Sequence, residues 1–282
     1  MNNEKVKNFG LLGYPLSHSL SPFIHSELLR IKGIDGGYRL YETPDESLAY
    51  EFNNTLINLS GFNVTIPHKT KIIPFLSKLS EKAELYGAVN TVEINDGVTI
   101  GHNTDCTGFL KSLELEGIEL KGRVLVCGYG GVARMFAAES IMSGAEVTLG
   151  IRRESAKKAQ ALSYELESKL SASIGITLLG EAEGIYDIII NGTPVGMFPN
   201  ALGCPVSDGV IMGASAVFDA VYNPYRTVLL RKAEEYGKKY INGLPMLVIQ
   251  AAAAEEIWNS VKYTEEEIRR VIELTKEELN NE

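Results

Sequence analysis

A chain of 282 residues, 45% apolar and 22% charged, can bury one large core or two modest ones. Its net charge of −9 and sequence pI of about 5.2 argue against nucleic acid or an acidic membrane as partner. Three dispersed cysteines (Cys106, Cys127, Cys204) without a CxxC pair exclude a disulfide framework and point to a reducing compartment, and four scattered histidines leave no metal cluster.

The N-terminus MNNEKVKN lacks the apolar core of a signal peptide, and no apolar run is long enough to span a bilayer, so a cytoplasmic protein is expected. Residues 9–13 form a short strand candidate that ends at Gly13-Tyr14-Pro15. SHSLSP (17–22) then precedes an apolar-periodic helix over 23–31, with Ser and Pro as start signals. Residues 38–41 suit a strand, 46–57 a helix and 61–66 another strand. This alternation implies a parallel sheet. Residues 88–94 and 98–101 read as a strand pair across Asn95-Asp96-Gly97. A helix follows over 104–116, with Gly117 and Gly122 bracketing the next link.

The stretch RVLVCGYGGVAR (123–134) organises the second half. An apolar strand over 124–127 breaks into Gly128-x-Gly130-Gly131-x-Ala133 and runs into a helix, the order of a dinucleotide-binding unit. Gly128 can take the tight turn, Gly130 lets a pyrophosphate approach, Ala133 lets helix and strand pack closely, and the helix N-terminus offers N–H groups to phosphate. Strands are expected over 146–149, 174–178, 187–191 and 216–220, with a helix over 154–170 between the first two. The turn Asn242-Gly243-Leu244-Pro245 leads into a helix over 246–258, and Thr264-x-x-Glu267 is a capping box that opens the last, Glu-rich helix.

Cofactor choice turns on the end of the second strand of this unit. NAD-binding proteins place an Asp or Glu there to hold the ribose 2′-hydroxyl. Here the segment reads Leu149-Gly150-Ile151-Arg152-Arg153, and Glu146 lies at the wrong end. Two arginines at the mouth of a helix oppose its dipole unless an anion is bound. A 2′-phosphate supplies that anion, so NADP is expected rather than NAD, and a methyltransferase fits less well because it too needs the missing acidic residue.

Four polar clusters in the first half could carry chemistry. The hydroxyls of Ser17, Ser19 and Ser21 lie beside a helix N-terminus, a natural seat for a carboxylate, although capping by Ser21 alone would account for them. NVTIPHK (63–69) ends a strand with Lys69 held behind a proline turn. AVNT (88–91) and NTD (103–105) add amide, hydroxyl and carboxylate groups. Singly each fits turn chemistry; together they crowd unusual groups onto strand ends.

With these motifs in order, the chain resembles the shikimate dehydrogenase family over nearly its whole length. SHSLSP, NVTIPHK, GAVNT, HNTD, the GYGG loop, ING-T-P-x-G-M, DAVYNP and NGLPMLVIQ stand in the family's order and spacing. The resemblance implies an α/β fold with an N-terminal αβα substrate domain (1–104 with 245–282), a Rossmann NADP-binding domain (105–244) and an active site in the interdomain cleft. It implies Lys69 and Asp105 as the catalytic pair, Ser19 and Ser21 with Tyr222 at the substrate carboxylate, and Thr65, Asn90 and Gln250 at the ring hydroxyls. It implies Gly128, Tyr129, Gly130, Gly131 and Val132 around the pyrophosphate, Arg152 and Arg153 at the 2′-phosphate, and Ala220 and Gly243 at the nicotinamide. His68 matches a variable position and is left out.

Two departures stand out. Ile151-Arg152-Arg153 replaces a frequent Asn-Arg-Thr, with a possible one-residue insertion after it, and Pro245 replaces a frequent glycine. The implied reaction is NADPH-dependent reversible reduction of 3-dehydroshikimate to shikimate, in a monomer or homodimer without nucleic acid, membrane or metal. The competing expectations are a quinate/shikimate dehydrogenase using NAD or NADP, and a non-catalytic NADP-binding regulator that has kept the fold.

Overall fold

The computed structural model describes residues 6–17 and 19–281 and divides into two compact units, Met1–Gly108 with Leu247–Glu282, and Phe109–Met246. The first unit opens with β1 (Lys7–Gly13), α1 (Ser21–Lys32) and β2 (Gly36–Glu42). There follow α2 (Leu48–Asn54), β3 (Gly61–Val64), β4 (Lys78–Leu79), α3 (Glu81–Tyr86), β5 (Thr91–Asn95) and β6 (Val98–His102). The sheet runs β2-β1-β3-β5-β6-β4.

The sheet is parallel where the β–α alternation predicts it and mixed at the expected hairpin. β1 pairs in parallel with β2 and β3, but β5 is antiparallel to both β3 and β6. The cause is the hairpin itself: Asn95 pairs with Val98, so β5 and β6 are joined by only Asp96 and Gly97, both at positive φ. A two-residue link of this kind forces antiparallel strands with matched twist. The core under the sheet gathers Leu12, Phe52, Leu56, Phe62, Ile72 and Val92.

The helix α4 (Asp105–Leu115) carries the chain onward. The second unit then alternates β7 (Arg123–Cys127), α5 (Gly131–Met142), β8 (Glu146–Ile151), α6 (Ala156–Leu170), β9 (Ile174–Leu178), β10 (Ile188–Asn191), α7 (Asp208–Gly213), β11 (Ala216–Asp219), α8 (Val228–Glu235) and β12 (Lys239–Ile241). All pairs are parallel, in the order β12-β11-β10-β7-β8-β9. That is the doubly wound order, which reverses direction between β7 and β10. Strands with helices on both faces are apolar throughout, and Val124, Leu125, Val126, Ile188, Ile189 and Ile190 are buried accordingly. Phe109, Phe136 and Phe218 pack edge-on or tilted, with ring centroids 4.6–5.5 Å apart.

The last helices are α9 (Gly243–Asn259) and α10 (Glu265–Asn281). α9 starts three residues earlier than the sequence suggests. The Asn242 side chain accepts from the Leu244 N–H at 3.0 Å, so the Asn-Gly-Leu-Pro segment is a capped first turn, where Pro245 gives up no needed N–H. At α10 the capping box forms in both directions, Glu267 N–H to Thr264 Oγ1 at 3.2 Å and Thr264 N–H to Glu267 Oε2 at 2.8 Å.

Candidate active site

In the first unit, Lys69 lies in the turn after β3, its carbonyl pinned by the Val89 N–H at 2.8 Å. Its ammonium donates to Asp105 Oδ2, on the first residue of α4, at 2.7 Å. The pair is only partly screened from water, the side chains being 30% and 15% exposed, so the lysine stays reachable. Asn90 buttresses the aspartate from the other side. Its Nδ2 lies 2.9 Å from both Asp105 Oδ1 and Thr104 Oγ1, and 3.2 Å from Gln250 Oε1 on α9. Its Oδ1 accepts from the Thr104 N–H at 2.7 Å. Two amide protons thus face three acceptors, which ties the start of α4 and helix α9 to one side chain.

The network extends to residues that sequence reasoning did not assign. Asn63 Nδ2 donates to the Asn90 carbonyl at 3.1 Å and to Thr91 Oγ1 at 3.0 Å, and the Tyr38 hydroxyl donates to Asn63 Oδ1 at 2.7 Å. Ser21 in turn hydrogen-bonds Tyr38, whose phenol is pushed well above its ordinary pKa, first by desolvation and then by the Glu255 charge. Asn63, Thr91 and Thr104 all stand inside conspicuous motifs, so a signal existed. Tyr38 carried none.

Ser21 does not cap α1, contrary to the simpler explanation of that motif. It is the first helical residue, Leu20 holds the cap position, and no side chain caps this helix. The Ser21 N–H instead approaches Ser19 Oγ at 3.3 Å, so both candidate carboxylate residues share one turn. Thr65 directly follows β3, with its N–H on the Leu12 carbonyl at 2.8 Å and its carbonyl receiving the His68 N–H at 2.9 Å. Tyr222, half-buried, belongs to the second unit.

In the second unit, β7 ends at Cys127 and Gly128 takes φ +114°, a left-handed value that only glycine adopts without strain. Gly130 occupies the cap position of α5 in extended conformation, and no atom lies within 4 Å of where a Cβ would stand at Gly130 or Gly131. The open approach, flanked by Tyr129 and Val132, adjoins unpaired N–H groups of the first helical turn and fits a pyrophosphate. β8 delivers Arg152 and Arg153 at its carboxyl end, both exposed. Arg153 pairs with Glu181 at 2.9 Å on the surface, a contact of about 0–1 kcal/mol that a phosphate can displace. Lys157 and Lys158, not singled out from the sequence, add positive charge in the first turn of α6, which has no acidic residue there.

Ala220 and Gly243 are brought together. A Cβ on Gly243 would stand 2.1 Å from the Ala220 carbonyl oxygen, and the Gly243 N–H reaches the Val221 carbonyl at 3.2 Å. Asp219, just before them, is fully buried, and burial raises its carboxyl to about 6 despite three hydrogen bonds to it.

A six-stranded doubly wound unit with an open glycine turn, alongside a unit holding a lysine–carboxylate–amide cluster, defines a dinucleotide-dependent α/β oxidoreductase. The model of the shikimate dehydrogenase substrate-binding domain matches residues 11–92. A shikimate dehydrogenase (NADP+) of Methanococcus maripaludis is 40% identical over 267 residues, covering 93% of this chain and 95% of that protein. One from Methanocaldococcus jannaschii is 38% identical, covering 96% and 98%. The crystal structure of Thermus thermophilus shikimate 5-dehydrogenase in complex with NADP(H) and shikimate superposes with a TM-score of 0.86 at 32% identity, covering 96% and 100%. The chain belongs to the shikimate dehydrogenase family.

Proposed function

We propose that this protein catalyses the reversible reduction of 3-dehydroshikimate to shikimate with NADPH, in the route to chorismate and the aromatic amino acids. The observation that carries the reading is the Lys69–Asp105 contact of 2.7 Å, braced by Asn90 and Gln250 in a chain of this family. Bound NADPH supplies the hydride. Negative charge then grows on the substrate carbonyl oxygen, and the Lys69 ammonium stabilises and protonates it. Asp105 holds the lysine in place and accepts from a neighbouring ring hydroxyl. Thr65, Asn90 and Gln250 orient the ring through its hydroxyls, and Ser19 and Ser21, with Tyr222, seat the carboxylate.

The cofactor side is assigned to Gly128, Tyr129, Gly130, Gly131 and Val132 for the pyrophosphate, Arg152 and Arg153 for the 2′-phosphate, and Ala220 and Gly243 for the nicotinamide. The open glycine approach and the positive charge beyond β8 fit that assignment. The enzyme is read as cytoplasmic, a monomer or homodimer. All three cysteines are free thiols, and among the described residues no helix is long and apolar enough to cross a membrane.

Initial rates with shikimate or quinate, each with NADP+ or NAD+, test the proposal. The highest kcat/KM is expected for shikimate with NADP+. Higher kcat/KM for quinate, or for NAD+, would reassign substrate or cofactor, and no turnover in any combination would reject the reading.

A further inference from the structure

We propose that Asp219 is a positioning residue for the cofactor site, the buried anion that holds three loops of the second unit in register at the carboxyl edge of its sheet. The inference rests on the cofactor assignment above. Cys127, Asn191 and Asp219 are the last residues of three adjacent strands, β7, β10 and β11, and the register sets Asn191 beside both others. Asn191 and Asp219 are fully buried and Thr227 nearly so.

Asp219 accepts three hydrogen bonds, one from the end of β10 and two from the segment that follows β11. Oδ1 accepts from Asn191 Nδ2 at 2.9 Å and from the Val221 N–H at 3.1 Å, while Oδ2 accepts from the Thr227 hydroxyl at 2.6 Å. Two of the contacts lead toward assigned cofactor residues. Asn191 Oδ1 accepts from Thr193 twice, from its N–H at 3.0 Å and its hydroxyl at 2.6 Å. Thr193 Cγ2 in turn lies 3.1 Å from the Cβ position of Gly128, and Gly192 packs against Ala133 of α5. On the other side the Val221 N–H fixes the Ala220–Val221 peptide, whose carbonyls meet Gly243. The third contact anchors the loop at its far end, where Thr227 also caps α8. One carboxylate therefore connects the glycine turn to the Ala220–Gly243 wall, the places assigned to the pyrophosphate and the nicotinamide of the dinucleotide.

A buried carboxylate is costly, and here it is retained at the loops rather than in the sheet interior. An apolar residue of similar size could fill the space but could not accept from a side-chain amide, a backbone N–H and a hydroxyl at once. Asparagine could nearly do so: Oδ1 would keep the first two contacts and Nδ2 would donate to Thr227.

The test measures NADP+ and shikimate dissociation constants by calorimetry for the parent, Asp219→Ala, Asp219→Asn and Thr193→Val. The expected result is NADP+ affinity weakened about tenfold or more by Asp219→Ala and about threefold by Thr193→Val, with Asp219→Asn within about threefold of the parent. Shikimate affinity should fall far less than NADP+ affinity, since of its assigned residues only Tyr222 lies in the loop that Asp219 holds and the others belong to the first unit. Thr193→Val removes an outlying hydroxyl rather than a buried charge, so it decides the matter if Asp219→Ala does not fold. Unchanged NADP+ affinity in every folded variant overturns the proposal, as does parallel loss of both ligands, which marks a merely structural residue. A parent that binds shikimate but not NADP+ overturns the cofactor assignment itself, and this proposal with it.

Discussion

The Lys69 ammonium meets the Asp105 carboxylate at 2.7 Å although 36 positions of sequence separate them, and Asn90 holds the second oxygen of the same carboxylate at 2.9 Å. The aspartate is thus fixed from two sides, and the lysine is the more exposed member of the pair. Substituting Lys69→Ala should lower kcat by about 10²–10⁴-fold, the usual share of general acid–base catalysis. KM for shikimate should move far less and NADP+ binding hardly at all. Steady-state kinetics at saturating cofactor measure this, and a kcat within a few-fold of the parent would remove Lys69 from the chemistry.

Arg152 and Arg153 are expected to choose NADP+ over NAD+. Replacing both with Ala should raise KM for NADP+ about tenfold or more relative to NAD+, as loss of charge-assisted hydrogen bonds implies. Because Arg153 already engages Glu181, Arg152→Ala alone should carry the larger part. Equal changes for the two cofactors would show that neither arginine reads the phosphate.

Gly243→Ala should destabilise the protein. The added methyl would stand 2.1 Å from the Ala220 carbonyl oxygen, and backbone on both sides leaves little room to give way. A cost of about 1–3 kcal/mol is expected, seen as a clear fall in Tm. An unchanged Tm would mean that this contact relaxes freely.

Asp219 should leave a mark on stability against pH. Burial raises its carboxyl from 3.8 to about 6, so between these values the folded protein binds more protons than the unfolded chain. Stability contributed at this residue therefore falls as pH rises from about 4 to about 6, by about 3 kcal/mol, and the cost persists above that range. Glu165 has the opposite sign: hydrogen bonds from Arg134 and Lys169 lower it from 4.5 to about 2, so its contribution is lost as pH falls, largely below the Asp219 window. Denaturant unfolding across pH 4 to 6 should show a more positive slope of stability with pH for Asp219→Asn than for the parent. Identical slopes would contradict the raised carboxyl.

What could be read from the chain was chiefly what depends on local pattern. The glycine turn after β7, the capping box at Thr264 and Glu267, and the Asp96-Gly97 hairpin all depend on residues a few positions apart, and each formed as expected. The cluster around Asn90 was visible as separate motifs. Its hub was not, because the bonds from Asn90 to Gln250 and from Tyr38 to Asn63 span 160 and 25 positions and depend on how distant elements meet. The same holds for Asp219. The DAVYNP motif was noticed, but its aspartate gained meaning only when β10 was set beside β11. Ser21 departs from its local preference for a related reason: a serine there favours capping, and tertiary contact with Tyr38 engages the side chain instead.

The most direct test of the central claim follows the hydrogen itself. The enzyme is given 3-dehydroshikimate and NADPH carrying deuterium at both positions of the nicotinamide C4, and the product is weighed by mass spectrometry. The account predicts shikimate bearing a single deuterium on the newly formed carbinol carbon, whichever face of the nicotinamide is used, with production about 10²–10⁴-fold slower for Lys69→Ala. Shikimate without deuterium, or no shikimate at all from the parent enzyme, would contradict it.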